Sequence, residues 1–546
     1  MKCRFTLLFP LLGLVAVGAC TGSDPAPCTG SSCTAATTPE GGVPPAAGTF
    51  DLTSGASFAV IQGASVDIDV TVTRSAFDGP ITASVSGLPA GVIPSPLVIG
   101  PGATAAKLTL TALATAAQGP TPITLSASSA DGAIHRDRTA TLLVRGPAGG
   151  ADTTFGTAGK VLTNIGTTGI AVQSTVVQAD GRILVGGQSD NDFVAARLGE
   201  SGVLDTTYGT AGVITVDLKT PGGMASVDSA GGMALTPSGQ AVLGGYRANG
   251  GENTYGLVRL TTAGAPDTTF DGDGYATPSF VPAGANSEIA FGVAVQADGR
   301  ILLAGSVLRD NAMPTESIIA RFKTNGALDD TFGIGMTGFF YGRSQPTSND
   351  SCESVTVARD GKILAACSGD DGGPHPVAVR LLANGQLDPT FGPQAGYSPI
   401  ALMGGSAHDI HELADGRLLV TGATAGGQFF IVRLQSDGTI DTSFGPNGTV
   451  LVALAKVNGG RSALDASERL VFAGGLGADE DLVVVRVDGA GKLDTTFAGT
   501  GYVVTTAGAK AVAANARVAI APDGRIVAAT NLVAAPLQLV AIRLWP

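Results

Sequence analysis

The chain is poor in charge: 14% of its 546 residues are Asp, Glu, Lys or Arg, and 45 acidic groups against 32 basic ones leave a net charge of −13. Scarce charge beside 44% hydrophobic residues excludes a disordered chain, which would be charge-rich and short of apolar side chains. The acidic balance argues against nucleic acid as a partner, because phosphate contact needs a basic surface. Tryptophan occurs once, and the Cys–Trp–Cys pattern of antibody-type domains is missing. Histidine occurs four times, and no G-x-S-x-G lies in a strand–helix context, so neither a histidine-rich metal centre nor a nucleophile elbow is written in the sequence. The N-terminal apolar run, Phe5 to Val17, is too short for a stable membrane span. What is abundant is glycine, 79 residues, which with many short apolar runs fits an all-β protein rich in tight turns.

The apolar run at the N-terminus follows Lys2 and Arg4 and ends in Val17-Gly18-Ala19-Cys20. This resembles a bacterial lipobox, which implies that residues 1–19 are a signal peptide and that Cys20 carries the acyl chains of a membrane anchor. Thr21 in place of an acidic residue points to the outer membrane of the cell envelope. The alternative is an ordinary cleaved signal, with Cys20 incidental. Residues 20–47 have no apolar periodicity and read as a flexible tether that includes Cys28 and Cys33, whose state stays open. Residues 48–147 alternate apolar and polar positions in runs such as SVDIDVTVT and AKLTLTAL, broken by Gly, Pro or Asp. That predicts an antiparallel β-sandwich, similar to the immunoglobulin-like spacer modules of bacterial surface proteins.

From 151 to 546 the sequence repeats itself seven times. Asp-x-x-aromatic recurs at Asp152/Phe155, Asp205/Tyr208, Asp267/Phe270, Asp329/Phe332, Asp388/Phe391, Asp441/Phe444 and Asp494/Phe497. A turn position recurs at Gly181, Gly239, Gly299, Gly361, Gly416, Glu468 and Gly524, and an arginine closes each unit at Arg197, Arg259, Arg321, Arg380, Arg433, Arg486 and Arg543. Each unit holds four strand-like pieces, a to d. The series starts with a d-type piece and ends after a c-type piece, so an N-terminal d strand can complete the last unit and hide both sheet edges. The fold class is therefore all-β, a seven-bladed β-propeller behind a β-sandwich. The stretches ADGRILVGG (179–187), FVAARLGESGVLDTTYG (193–209), VQADGRILLAG (295–305) and ARFKTNGALDDTFG (320–333) resemble delta-60 repeats, a propeller family of bacterial surface and secreted proteins, which implies no particular activity.

The repeated residues read as scaffold. Asp-Gly between two apolar runs is a hairpin signal, and a phosphate-cradling loop would need a helix after it. The repeated aspartates are spread around the ring and cannot converge as an acid–base pair. Spacing tells the faces apart. Arg to the next Asp is always 8 residues, whereas the d–a and b–c connections vary in length. The variable connections share one face, where function is expected. They include 219–229, 279–288, 341–350 and the acidic b–c loops 189–192, 369–373 and 478–481.

Seven residues before each turn position stand Ser174, Gly232, Gly292, Ser354, Asp409, Arg461 and Arg517, expected near the axis. With Glu353, His408, His411 and Glu412 they make a candidate polar ligand site, and the competing reading is an internally paired channel lining. On an alternating strand His408 and His411 point oppositely, so no metal site and no cofactor is assigned. With a turn at 358–361, Val357 faces Lys362 and Cys352 faces Cys367, which makes a disulfide between the two cysteines feasible. The expected function is a non-enzymatic, lipid-anchored surface protein that binds a protein or glycan through the variable loop face. A hydrolase or lyase using axial residues of units four to seven, or a purely structural envelope component, is the alternative.

Overall fold

The computed structural model describes residues 48–219, 226–249, 252–280, 287–308, 314–454, 456–477, 481–505, 515–534 and 536–546. Cys20, Cys28 and Cys33, with the signal and tether assigned to them, lie outside the described residues. So do parts of the loops 219–229, 279–288 and 478–481.

Two sheets pack face to face before residue 146. One runs Thr49–Thr53, Ser65–Ser75, Ala105–Ala112, Val92–Pro94, and the other Ser57–Ile61, His135–Arg145, Gly119–Ser129, Ile81–Ser86, Leu97–Ile99. The alternation seen in SVDIDVTVT explains the layering: Ile68, Val70 and Val72 point into a shared core with Phe50, Leu108, Leu125 and Leu142, while Asp67 and Asp69 face water. The sandwich meets the following domain through Gln118, whose Oε1 accepts the Trp545 indole N–H at 3.0 Å and the Thr153 amide at 2.8 Å.

From residue 151 onward the protein is a β-propeller. Its four-stranded antiparallel units start with Ala171–Val177, Ile183–Ser189, Asp192–Leu198 and Val213–Val216 as strands a to d. The second and third units join into one sheet through a single parallel pairing of Asn253 with Ser287. Units pack on both faces, so a b strand such as Ile183–Ser189 is buried along nearly its whole length and reads as a continuous apolar run instead of an alternating one. In the final unit, Lys160–Asn164 pairs antiparallel with Gln538–Leu544, which in turn pairs with Ile526–Leu532. The innermost strands follow one another around the axis, and Arg517–Ile520 lies against Ala171–Val177, which closes the ring.

Every repeated residue has a structural partner. Each unit's closing arginine donates Nε to its aspartate at 2.6–2.9 Å, from Arg197–Asp205 round to Arg543–Asp152. The same guanidinium lies 4.4–4.8 Å from the centre of the unit's aromatic ring. Arg197, Arg259, Arg321 and Arg380 also reach the next unit, their Nη1 donating to Thr262 O, Thr324 O, Ala383 O and Ser436 O. The cation of the a–b turn adds a second hold on the aspartate, as with Arg182 on Asp205 at 3.2 Å and Arg525 on Asp152 at 2.8 Å. In the second unit, where SGQ replaces DGR, Gln240 takes that place on Asp267. The a–b turn, read from the sequence as a hairpin, is thus one side of a polar staple.

These staples set an acid limit. Asp441 is held down at about 2, first by the Ser443 hydroxyl and, against the opposing effect of burial, by Arg433. Asp388 also lies at about 2, because Thr390 and Arg380 outweigh the upward push of burial. Both lie below the usual 3.8, so they contribute stability that is present above about pH 3.8 and lost as pH falls through about 2. Fluorescence of the buried Trp545 should stay native down to about pH 4 and change between about pH 4 and 2. Unfolding already complete at pH 5 would contradict this assignment.

The hairpin register differs from expectation near each axis. In six units the a strand carries one extra residue: Gln173, Gly231, Phe291, Glu353, His408 and, in the sixth, one of Gly459–Gly460. The a–b turn at 358–362 is also one residue longer than expected, so Val357 faces Ile363, not Lys362, and the bulge at Glu353 offsets this and brings Cys352 back opposite Cys367. The two sulfurs are bonded there. The bulge also explains the second glycine of VGG: a Cβ on Gly187 would meet Ala171 O at 1.9 Å, so the a strand backbone occupies that space.

Candidate functional site

The axial slot gathers as the spacing predicts. Ser174, Gly232, Gly292, Ser354, Asp409, Arg461 and Arg517 all line one 270 Å³ cavity on the axis. Units two and three place glycine at this slot, because the innermost strands approach too closely for a side chain: a Cβ on Gly292 would lie 2.8 Å from Ser354 Cα. The charge is therefore on one side, contributed by units four to seven.

Those charges are engaged with each other. Arg461 Nη2 donates to Glu353 Oε2 at 2.9 Å, and its Nη1 lies 3.5 Å from Asp409 Oδ1. Asp409 Oδ2 accepts the Ser462 amide at 2.7 Å. Arg517 donates to the main-chain and side-chain oxygens of Gln173. His408 Nδ1 donates to Gly460 O at 2.7 Å, and His411 Nε2 bonds Ser462 Oγ at 2.8 Å. Burial pushes both imidazoles below their usual pKa, with the Arg461 charge adding to the effect at His408, so both stand neutral at pH 7. Two carboxylates and two guanidiniums balance, and no base faces the Ser174 hydroxyl, which is buried without a partner. Ser462 Oγ, within hydrogen-bond reach of His411 Nε2, is also held by Thr421 Oγ1 at 2.7 Å and by Asp409 Oδ2 at 3.3 Å, so these groups tie the fifth and sixth units together.

Two expectations need correction. His408 and His411 do not point oppositely, since the bulge at His408 resets the alternation and both reach the innermost strand of the sixth unit, at Gly460 and Ser462. Glu412 is not part of the axial group. Its Oε2 accepts the Arg359 amide at 2.8 Å in the neighbouring a–b turn, at the far side of the blade.

The loop face holds three acids that lie inside the candidate connections 219–229, 279–288 and 341–350 but are not singled out there. Asp228, Glu288 and Asp350 are all within 1% of complete burial at the start of their a strands. Asp228 Oδ2 accepts the Leu218 amide at 2.6 Å, Glu288 Oε1 accepts that of Phe280 at 2.6 Å, and Asp350 Oδ2 accepts that of Ser344. Each latches the end of a d–a connection to the innermost strand. The signal for them was present, because all three stand eleven residues before a turn glycine: Gly239, Gly299 and Gly361. Around Asp228 a second pair of acids, Asp192 and Asp217, brings three carboxylates within 4.8 Å of one another. A 680 Å³ cleft lies between the sandwich and the propeller, bordered by Phe58, Leu143, Arg525 and Trp545.

Five segments, 178–208, 236–270, 296–332, 358–391 and 413–444, match the β-propeller family described as a domain of unknown function, DUF5122. No curated protein matches the sequence. Among solved structures the chain is similar to the subtype N10 neuraminidase-like protein of A/little yellow-shouldered bat/Guatemala/060/2010, at 8% identity and TM-score 0.34, covering 57% of this chain and 92% of that one. It is also similar to titin domains z1z2 in complex with telethonin, at 14% identity and TM-score 0.13, covering 39% of this chain and 96% of that one. At TM-scores of this size neither likeness carries an argument.

Proposed function

Since five of its segments are β-propeller repeats of the DUF5122 family, we propose that this protein is a non-enzymatic lipoprotein of the bacterial envelope, anchored through Cys20 in the outer membrane, that binds a protein or glycan through the variable face of its propeller. One observation carries the reading. The residues that repeat are consumed in staples near the a–b and c–d turns, and the axial charges pair with each other, so the variable d–a and b–c connections are left as the part free to differ between ligands. An enzyme working from the axis would need Arg461, Asp409 and Glu353 to release one another before touching a substrate.

The reading is tested with the full chain on a glycan array and in pull-downs from envelope extracts. In one variant, residues 341–350 and 369–373 are replaced by Gly/Ser of equal length. A second variant, Arg517→Gln, alters the axis alone. The loop variant should lose at least tenfold in affinity for the captured ligand, while Arg517→Gln keeps it. A loop variant that binds every native ligand unchanged removes the proposal.

A further inference from the structure

We propose that Asp192, Asp217 and Asp228 form a Ca²⁺ site on the loop face, between the first and second units of the propeller. The three residues come from three different segments. Asp192 opens the c strand of the first unit, directly after the two-residue turn Asp190-Asn191, both at positive φ (53° and 72°). Asp217 follows the d strand Val213–Val216 of the same unit, and Asp228 sits in the a strand of the next. Blade packing holds them together: the Asp228 amide donates to Asn191 O at 2.6 Å, and Asp228 Oδ2 accepts the Leu218 amide at 2.6 Å. The cluster is thus tied on both sides to strand ends and is positioned before any ion arrives.

Three carboxylates in one place do not by themselves make a site, since such clusters occur on solvated surfaces. Asp228 is what distinguishes this one. Its side chain is fully buried, and its Oδ1 meets no hydrogen-bond donor. A buried carboxylate oxygen without a donor is costly, and a cation satisfies it directly. Arg247, whose charge acts on Asp228, directs Nη1 to the carbonyls of Leu218 and Lys219 at 3.3 and 3.0 Å, which leaves that oxygen unserved. The like charges act on each other too. Asp217, Asp228 and Asp190 all act on the Asp192 carboxylate as like charges.

The donor set selects the ion. All ligand atoms are carboxylate oxygens, which suit hard cations and not the nitrogen- and sulfur-seeking metals. Three oxygens within 4.8 Å of one another share a point no more than about 2.8 Å from each, so a small side-chain adjustment brings them to the roughly 2.3–2.6 Å range of Ca²⁺. Mg²⁺ demands about 2.0–2.1 Å and near-ideal octahedral geometry, which three ligands fixed by separate strands do not provide. Asp217 is exposed, so water completes the coordination from the solvent side. Asp228 contributes the buried oxygen, Asp192 the half-buried one, and Asp217 the entry side.

The site is independent of what the loop face binds, and its test needs no partner. Full-length protein is freed of metal with a chelator and titrated calorimetrically with CaCl₂, and separately with MgCl₂. The variants Asp192→Asn and Asp217→Asn are treated in the same way, and Asp228 is left intact because it also latches Leu218. The expected result is one Ca²⁺ per chain, a higher melting temperature with Ca²⁺ present, and at least tenfold weaker binding in both variants. Without Ca²⁺ the variants should melt at or above the native temperature, which shows that they are folded and relieved of charge repulsion. No heat and no melting shift with CaCl₂, or unchanged binding in both variants, overturns the site. An equal response to MgCl₂ overturns its assignment to Ca²⁺.

Discussion

A chain that ends before residue 537 will not fold into a cooperative propeller. The segment 537–546 supplies the c strand Gln538–Leu544 of the last unit, and this strand is the shared partner of Lys160–Asn164 and Ile526–Leu532. Its loss leaves two open strand edges in place of a closed ring and separates the N-terminal d strand from its unit. It also removes Leu539, Val540, Ile542 and Leu544, each at most 3% exposed. At about 1.5–3 kcal/mol for each buried aliphatic side chain, the four together amount to roughly 6–12 kcal/mol. That equals the whole stability of a typical domain, about 5–15 kcal/mol. The buried Asp152 would lose Arg543 as well, and Gln118 would lose the Trp545 indole that joins sandwich to propeller. The truncated chain should be recovered mainly as aggregate. Any soluble fraction should lack near-ultraviolet circular dichroism and a sharp melting transition. A truncated protein that melts in one transition within a few degrees of the intact chain would show that closure is not what holds the ring.

The ring was legible in the sequence because one solution is repeated. A single Asp-x-x-Phe or Asp-Gly turn says little, but recurrence of both at fixed distance from an arginine assigns the strands, and a d-type piece at the front with a c-type piece at the back assigns the closure. Alternation also found the sandwich strands. It failed at the axis, for a physical reason: the bulge adds one residue to the a strand, and a one-residue shift exchanges the faces of everything before it. Plain alternation therefore turned His408 and His411 to opposite sides although both face the sixth unit, while Val357 fell opposite Lys362 instead of Ile363 because the a–b turn is one residue longer than counted. The axial slot itself lies on the turn side of the bulge, which is why Asp409, Arg461 and Arg517 converge as counted. Glu412 is the last residue of its a strand and is held at the neighbouring turn by the Arg359 amide, a contact between units that no single-unit pattern contains. Asp192, Asp217 and Asp228 were out of reach for the same reason. They lie in two units and three segments, and only the stacking of one blade on the next makes them neighbours.

Replacing one staple carboxylate, Asp329→Ala, should cost about 3–5 kcal/mol, the size expected when one partner of a buried ion pair is removed. Asp329 is 2% exposed and accepts from Arg321 Nε at 2.7 Å, Arg300 Nη1 at 3.3 Å, and the Thr331 amide and hydroxyl at 3.1 and 2.7 Å. Alanine leaves Arg321, itself 3% exposed, as a buried cation without its counter-charge. Its remaining partners are the Phe332 ring, the Thr331 hydroxyl and Ala383 O in the next unit, none of which carries negative charge. Urea unfolding of the full chain should show a large fall in midpoint for Asp329→Ala and a smaller one for Asp329→Asn, which keeps an acceptor of the same shape. The double variant Arg321→Ala/Asp329→Ala separates two explanations. If the penalty comes from the orphaned charge, the pair costs clearly less than the sum of the two single changes. If it comes from lost packing of the guanidinium under the ring and across to the next blade, the costs add. Arg321 bridges two units through Ala383, so a less-than-additive cycle would place the principal work of the Asp in neutralising an arginine that the blade-to-blade contact requires. A loss below about 1 kcal/mol for Asp329→Ala, the range of an exposed pair, would refute the staple as a source of stability.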